Sequence, residues 1–565
     1  MRLTLRRRIP FPHVTRYLLP ASCVAAAALA VGLALPAVWW APVNVDEEVT
    51  MVVSRRSLGQ VWSIVWGDRG GGPLHFFLEH ATLAWPGGLP GLRVPSLVFL
   101  VAALPAAALI ARELAGPVVA AVAVLLLGAA PLAVSHGTFG RPHVMLMAWF
   151  SWALWAGLRA ARTGRRAWWI AAAVALAAMV LVHPIAPVYA AAGAVAALAY
   201  APRPARVVVR EAWPAALAFV LVLVPYYAHS LRVLGARYEV GSGRRGRTYS
   251  GQSVLHDALA GMSPSTHPVN AFSVAALVGA VVLLRRGRVR TALVPLLVIA
   301  FPVLFFSLVP SGARSALFFG RYMLPALPLF LTLAAVGALG VAARLPRATW
   351  VAAAIVAVLL AGELHEDVQR LGDIRALRLG ALVGAVRGTD AILFGSVGTI
   401  GDGTIAKLSY GRPPTLLDRY LLLRLPGLER VDDHSCVPAV RFLRAGGPPR
   451  RGLWVFYAAD DAELAAGAAA LPRPRAVAGG YLLVESRPLR PRALLAEGAR
   501  LRRAWSRAVP RDAKADYHVR ADETALGAPE TCEPLGEFGD PDITPARRIP
   551  QPVQGTALPT RGFGD

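Results

Sequence analysis

The sequence has almost no lysine and, over most of its length, few acidic side chains. Lys407 and Lys514 are the only lysines, and residues 1–360 contain only nine Asp and Glu residues. Three cysteines, Cys23, Cys436 and Cys532, show no metal-binding spacing, which excludes a zinc ribbon or a disulfide-rich scaffold. Cys436 and Cys532 can pair only if the distal region is exported. There is no Walker loop, no GxGxxG motif and no internal repeat, so nothing indicates a nucleotide site or a solenoid.

Apolar residues are abundant instead, and the positive charge is carried by arginine. The chain is 56% hydrophobic, with a mean hydropathy of +0.50, which is too apolar for an ordinary soluble protein. Its net charge is +25, but the arginines fall in short clusters between apolar runs. This is the pattern of loops held against anionic lipid headgroups. We therefore expect membrane lipids as partners and no nucleic acid.

Apolar runs long enough to cross a bilayer recur through the first two thirds of the chain. The first follows basic residues, as in a signal peptide, but it is too long for one, so we read it as an uncleaved span. The segment 73–86 is apolar but short, which favours an interfacial helix. Eleven spans are predicted, near 18–40, 93–111, 116–134, 143–160, 168–183, 185–201, 212–230, 270–285, 291–309, 322–342 and 348–363.

The arginine clusters predict the orientation of these spans. With 73–86 left out as a span, six basic places fall on one side, the side that carries excess arginine in bacterial inner membranes. They are residues 2–16, 112, 159–166, 203–210, 285–290 and 344–347. We expect a multi-pass plasma (inner) membrane protein whose outer face carries loops 41–92 and 231–269. The arginines of loop 231–269 are either tolerated, as long loops allow, or meet a phosphate.

The composition changes near residue 364 to that of a soluble domain. Short β-branched and aromatic runs near 390–395, 451–457 and 480–485 alternate with helical stretches such as 374–387 and 460–470. The predicted fold class is mainly α: a polytopic membrane domain over 1–363 and a small extracytoplasmic α/β domain over 364–540. The tail 541–565 has a disordered composition. The α/β domain would bind an acceptor glycan or a protein partner, and its sequence does not distinguish the two.

An acidic cluster follows the first span on the predicted outer face. Three of the nine acids of residues 1–360 stand together as Asp46, Glu47 and Glu48. Carboxylates beside a membrane are costly unless they are used or face water. One interpretation is a catalytic corner, in which a carboxylate takes a proton from an attacking hydroxyl. The other is a solvated acidic turn.

Further polar residues punctuate the predicted outer face. His75 and Glu79 share one side of a predicted helix over 73–86, and His80 follows directly. They form either part of a metal site or a polar stripe at the headgroup boundary. His183 lies between two apolar runs, as a cavity residue or a packing residue. Arg141 and Arg321 each precede a span, where they would anchor the interface or hold a phosphate.

The order of these motifs resembles the family 39-like glycosyltransferases of the GT-C superfamily, which include protein mannosyltransferases and aminoarabinose transferases. The similar segments are Asp46-Glu47, 73–80, Leu-Arg-Val-Pro-Ser at 92–96, 135–142 and Arg-Tyr-Met-Leu-Pro-Ala-Leu-Pro at 321–328. They cover roughly residues 18–345. Two departures occur: Gly72 replaces a proline, and Phe139 stands near the place of a glutamate before Arg141. The missing acid weakens any second carboxylate or metal role there.

The resemblance implies transfer of a sugar from a polyprenyl-phosphate donor to a glycan, lipid or protein acceptor on the outer face. Asp46 would be the general base and Glu47 its helper. Arg141 and Arg321 would hold the donor phosphate, with His75, His80 and His183 in the substrate cavity. No cofactor or metal is required because the lipid phosphate is a good leaving group, although a divalent cation is compatible with this chemistry. The alternatives are a lipid transporter or flippase and a non-catalytic envelope-assembly scaffold.

Overall fold

The structure is a computed structural model, and it describes most of the membrane region and much of the C-terminal region. The described residues are 12–41, 43, 45–69, 72–84, 88–241, 251–264, 267–308, 320–397, 420–421, 424–425, 428–429, 431, 436–458, 460–509 and 523–529. Some residues within these ranges, Asp46 and Cys436 among them, are described by their backbone alone. The predicted tail 541–565 and Cys532 lie outside the described residues.

Apolar helices make up the first part of the chain. They are α1 (Pro12–Trp40), α2 (Val45–Ser54), α3 (Leu58–Ile64), α4 (Pro73–Ala84), α5 (Gly88–Ala115), α6 (Pro117–Ala129), α7 (Pro131–Gly137), α8 (His143–Thr163), α9 (Arg166–Val180), α10 (Ala186–Tyr200), α11 (Ala205–Gly241), α12 (Gly251–Gly261), α13 (Ala271–Arg285), α14 (Val289–Leu308), α15 (Leu327–Ala342) and α16 (Ala348–Ala376). A π-helical segment, Val65–Arg69, follows α3, and a 3₁₀ segment, Gly320–Ala326, precedes α15.

These helices confirm the predicted multi-pass membrane architecture. Within the described ranges, seven helices are long and apolar enough to cross a membrane, and the bent pair α6–α7 makes an eighth. Three shorter apolar helices, α9, α10 and α13, coincide with the remaining predicted spans. The pair α6–α7 bends by 54° where Pro131 starts the second helix, because proline cannot donate the hydrogen bond that would continue the first.

Two boundaries differ from the sequence-based expectation. Helix α16 runs unbroken past residue 363 to Ala376, so the predicted domain boundary lies inside one helix. The predicted loop 231–269 is helical at both ends, because α11 extends to Gly241 and α12 starts at Gly251. Once formed, a helix gains one hydrogen bond for each residue added, so it can outlast the apolar run. Residues 242–250, with three of the loop's arginines, lie outside the described residues.

The C-terminal region contains a small mixed sheet covered by helices. Its elements are α17 (Leu379–Val386), β1 (Ile392–Val397), α18 (Cys436–Ala445), β2 (Gly452–Tyr457), α19 (Asp461–Ala470), β3 (Arg475–Val477), β4 (Tyr481–Glu485) and α20 (Pro491–Ala508). The strand order is β1-β2-β4-β3, with β1 and β2 parallel and the other pairs antiparallel. This confirms the predicted α/β domain and adds β3.

Alternation along the strands gives this sheet two buried faces. One face, with Trp454 and Phe456, packs on Trp505 of α20. The other face shares a hydrophobic core with α17 and with residues of the membrane region. That shared core includes Val43 and Met51 on either side of the acidic cluster. The α/β domain therefore packs directly against the segment that carries Asp46.

Candidate active site

The acidic cluster is held by a buried ion pair. Asp46 and Glu47 lie in the first turn of α2, where the helix dipole favours negative charge. Only 1% of Glu47 is exposed, and its two carboxylate oxygens accept hydrogen bonds of 2.8 Å each from Nε and Nη2 of Arg93. This two-pronged contact fixes α2 against α5. The Asp46 side chain lies outside the described residues, so its role as general base stays a prediction.

Arg93 also ties the acidic cluster to the end of the first membrane helix. Its Nη1 donates to the backbone oxygens of Ala37 at 2.9 Å and Ala41 at 2.8 Å. These carbonyls belong to the last turn of α1 and the residue just after it, where unsatisfied acceptors and the negative end of the dipole favour a cation. One buried guanidinium group thus joins α1, α2 and α5.

The turn that carries Arg141 is clamped onto the same corner. The backbone N–H of Gly140 donates to Oε1 of Glu47 at 2.9 Å, and Ser96 donates to the backbone oxygen of Phe139 at 2.6 Å. A Cβ on residue 140 would lie 2.7 Å from the backbone oxygen of Leu92, so glycine is required for this close approach. Glu47 therefore positions the turn before α8 as well as its own helix.

A group of aromatic and imidazole rings lies beyond this turn. The rings of His143, His183 and Tyr322 form a triangle. The centroids of the two histidine rings are 5.4 Å apart, and the Tyr322 centroid lies 5.9 Å from that of His143 and 5.3 Å from that of His183. The Arg321 guanidinium carbon lies 5.8 Å from the Tyr322 ring centroid. His183 comes from the turn between α9 and α10, while Tyr322 comes from the 3₁₀ segment before α15.

Arg141 and Arg321 act on this ring group from two distant parts of the chain. Burial first, and then the charges of both arginines, lower the pKa of His183 to about 3. His183 is therefore neutral at neutral pH, and the arginines carry the positive charge. Two half-buried guanidinium groups beside neutral donors suit an anion such as a phosphate. The structure thus places Arg141 and Arg321 near enough to His183 for both charges to act on it.

Helix α4 brings a second pair of polar residues to the acidic corner. His75 and Glu79 are 1% and 0% exposed, and Nδ1 of His75 lies 3.9 Å from Oε1 of Glu79. Burial and the charge of Glu47 raise the pKa of Glu79 well above its usual range. Burial and then the charge of Arg141 lower the pKa of His75 to about 3. Burial therefore favours the uncharged form of both groups.

His80 takes a different place from His75. Its Nδ1 lies 2.8 Å from the backbone oxygen of Ser54, at the end of α2, so it joins α4 to that helix end. Because His80 is one residue beyond Glu79, it projects from another side of α4. Its assignment to the substrate cavity stays a prediction.

Sequence reasoning did not assign roles to Arg93, His143 and Tyr322. Arg93 and Tyr322 stand inside motifs that were singled out, and Arg93 is a basic residue within the apolar helix α5, which is a signal for a buried partner. Within the described chain, no group of three or more His, Cys, Asp or Glu side chains is placed to hold a metal ion.

Comparisons with known proteins give one family and several solved structures. Residues 76–229 match the family model of dolichyl-phosphate-mannose-protein mannosyltransferase. That segment contains Arg93, Arg141 and His183 but neither Asp46 nor Arg321. No curated protein matches the chain.

Three solved structures with similarity to the chain are distant from it in sequence. The apo structure of ArnT from Cupriavidus metallidurans is 16% identical, with a TM-score of 0.49, over 82% of this chain and 97% of that chain. The ArnT structure bound to undecaprenyl phosphate gives 17% and 0.48 over the same shares. The apo Archaeoglobus fulgidus oligosaccharyltransferase is 13% identical, with a TM-score of 0.44, over 71% and 60% of the two chains. The family match confirms the predicted resemblance of residues 76–229 to the protein mannosyltransferases among the family 39-like glycosyltransferases.

Proposed function

We propose that this protein moves a sugar from a polyprenyl-phosphate donor to an acceptor hydroxyl at the outer face of the plasma membrane. Its product would be a cell-envelope glycan, glycolipid or glycoprotein. The observation that carries the proposal is that Arg141 and Arg321, 180 positions apart in the sequence, both lie near enough to His183 for their charges to act on it, beside a buried acidic corner. The matched family is described by a lipid-phosphate sugar donor, which supports this donor class.

Each group has a defined part in the proposed reaction. Asp46 takes the proton of the acceptor hydroxyl while the hydroxyl oxygen bonds to the anomeric carbon of the sugar. The bond from that carbon to the phosphate oxygen breaks, and polyprenyl phosphate leaves with the electron pair. Arg141 and Arg321 stabilise the negative charge that develops on the phosphate. Glu47 helps by holding α2 and the Arg141 turn through Arg93 and Gly140.

The proposed orientation rests on the arginine distribution. Arg344 and Arg347 lie just before α16, and the acidic cluster lies just after α1, so the two sets flank opposite ends of the predicted spans. Short loops rich in arginine stay in the cytoplasm, so the acidic corner and the α/β domain would face outward.

Sugar transfer by membranes that contain the Asp46→Asn variant tests whether Asp46 is the general base. Asparagine keeps the size of aspartate but cannot accept the proton, so transfer from radiolabelled polyprenyl-phosphate sugars should fall by about 10²–10⁴-fold. Asp257→Asn, the same change on the exposed part of α12, is the matched control and should keep wild-type activity. Equal activity of Asp46→Asn and wild type would remove Asp46 as the base.

The phosphate-holding role has its own test. Arg141→Gln and Arg321→Gln should each lower transfer by about 10²–10³-fold, because a preorganised charge at the leaving group is lost. Arg232→Gln, on an exposed position of α11, is the control. If the wild type transfers no sugar from any donor, the glycosyltransferase proposal fails and the transporter or scaffold alternative replaces it.

A further inference from the structure

His75 and Glu79 are buried polar side chains whose hydrogen-bonding capacity is unused. Within the described structure, neither carboxyl oxygen of Glu79 has a hydrogen-bond partner, and the His75 ring nitrogens make no close hydrogen bond, although the backbone of Gly140 lies near enough to interact with the ring. Buried polar atoms in proteins are nearly always hydrogen-bonded, because an unsatisfied buried donor or acceptor costs about 1–3 kcal/mol. Two adjacent residues with four such atoms indicate that a polar ligand completes the site.

The spacing and charge state of the pair indicate the kind of ligand. The 3.9 Å between Nδ1 of His75 and Oε1 of Glu79 is too long for a direct hydrogen bond. One oxygen atom about 2.8 Å from both atoms can bridge them. The uncharged forms that burial favours are a protonated carboxyl group, which donates one hydrogen bond, and a neutral imidazole, which accepts one, so a bridging group that both accepts and donates suits the pair. A hydroxyl group meets this requirement.

The position of the pair relates it to the proposed reaction. Glu79 lies near enough to Glu47 to feel its charge, and His75 lies near Arg141 and the backbone of Gly140. The pair is thus between the acidic corner and one of the proposed phosphate-holding arginines. A sugar whose phosphate contacts Arg141 and whose anomeric carbon faces α2 would present its hydroxyl groups here.

From these observations we infer that His75 and Glu79 form the subsite that binds a hydroxyl group of the transferred sugar. This inference rests on the proposed function and names the part of the donor that the pair recognises. A phosphate does not suit the pair, because the Glu47 carboxylate lies nearby. A polyprenyl tail would leave all four polar atoms unsatisfied. A metal ion lacks a third side-chain ligand among the described residues.

The test uses two substitutions of Glu79 with opposite expected results. Glutamine still donates and accepts hydrogen bonds, so Glu79→Gln should keep transfer within about 5-fold of wild type. Leucine fills the space without a polar atom, so Glu79→Leu should lower kcat/KM by about 10- to 100-fold. Glu363→Leu is the matched control, because Glu363 is also buried with unpartnered oxygens but lies in α16 beside Glu366 and Asp367.

Donor analogues separate recognition of the sugar from a purely structural role. Wild type and Glu79→Leu are compared with the polyprenyl-phosphate hexose or pentose that wild type uses, with its monodeoxy analogues, and with polyprenyl phosphate alone as inhibitor. One deoxy donor should lose about 10- to 100-fold with wild type and almost nothing further with Glu79→Leu. Inhibition by polyprenyl phosphate should be the same for both proteins, because it carries no sugar.

Three results would overturn the inference while leaving the proposed function intact. The first is a kcat/KM of Glu79→Gln as low as that of Glu79→Leu. The second is weaker inhibition of Glu79→Leu than of wild type by polyprenyl phosphate. The third is that every deoxy donor that loses activity with wild type loses as much again with Glu79→Leu. Wild type inactive with every polyprenyl-phosphate sugar would overturn the proposed function, and this inference with it.

Discussion

Replacing Arg93 by glutamine should strongly destabilise the fold, because it breaks the buried ion pair at the acidic corner. Arg93 and Glu47 are each 1% exposed. The substitution removes two 2.8 Å hydrogen bonds to the Glu47 carboxylate and the bonds to the backbone oxygens of Ala37 and Ala41. Glu47 is then a buried charge without its cation. Breaking a buried pair from one side costs about 3–5 kcal/mol, and we expect that loss in the free energy of unfolding.

A second ion pair in the same protein provides the control. Arg203 pairs with Glu211 and also donates to two backbone oxygens, but these side chains are 27% and 24% exposed. Water can replace its lost contacts, so Arg203→Gln should cost no more than about 1 kcal/mol. The two substitutions remove the same kinds of contact and differ mainly in burial.

Unfolding in mixed detergent micelles, followed by tryptophan fluorescence, measures the free energy of unfolding of both variants. The double variant Glu47→Gln, Arg93→Gln should be less destabilised than Arg93→Gln alone, because no uncompensated charge remains. An Arg93→Gln protein as stable as Arg203→Gln would refute this reasoning. It would mean that water or a rearranged cation compensates Glu47.

Two further predictions concern packing and pH. Gly279 of α13 and Gly337 of α15 face each other so closely that a Cβ on either would overlap a backbone oxygen of the other helix. Gly337→Ala should therefore destabilise the protein by about 1–3 kcal/mol in the same unfolding assay. Gly32→Ala, with nothing within 4 Å, should not destabilise it. The pKa of His75 falls from its ordinary value of 6.5 to about 3 on burial, so its contribution to stability is present above pH 6.5 and is lost as the pH falls toward 3. His75→Phe should therefore lessen the loss of stability between pH 6.5 and 4.5, by up to about 1.4 kcal/mol per pH unit, whereas the same change at the half-exposed His256 should not; equal slopes for wild type and His75→Phe would contradict the buried neutral state.

Much of the membrane architecture follows from local sequence features. The eleven predicted spans all coincide with helices because a backbone in hydrocarbon must satisfy its own hydrogen bonds, and a long apolar run leaves few other choices. The α/β domain was predictable from its short β-branched runs, which became β1, β2 and β4. β3, only three residues long and largely exposed, carries no such signal.

The helix ends were less predictable. Residue 363 marks a change in composition, yet α16 continues to Ala376 because helix propagation does not require apolar residues. The ends of the predicted loop 231–269 are helical for the same reason.

Composition and motif order determined that this is a multi-pass membrane protein with an acidic corner and two candidate phosphate-holding arginines. Only the tertiary structure decided which groups meet. It paired Glu47 with Arg93, 46 positions away, placed Gly140 on the same carboxylate, and put Glu79 beside it. Such contacts depend on how helices that are distant in the sequence pack against each other. The sequence periods of 3.6 residues for a helix and 2 for a strand show only which side of an element is apolar. The sequence therefore identifies the groups available for chemistry, while packing determines which of them share one buried site.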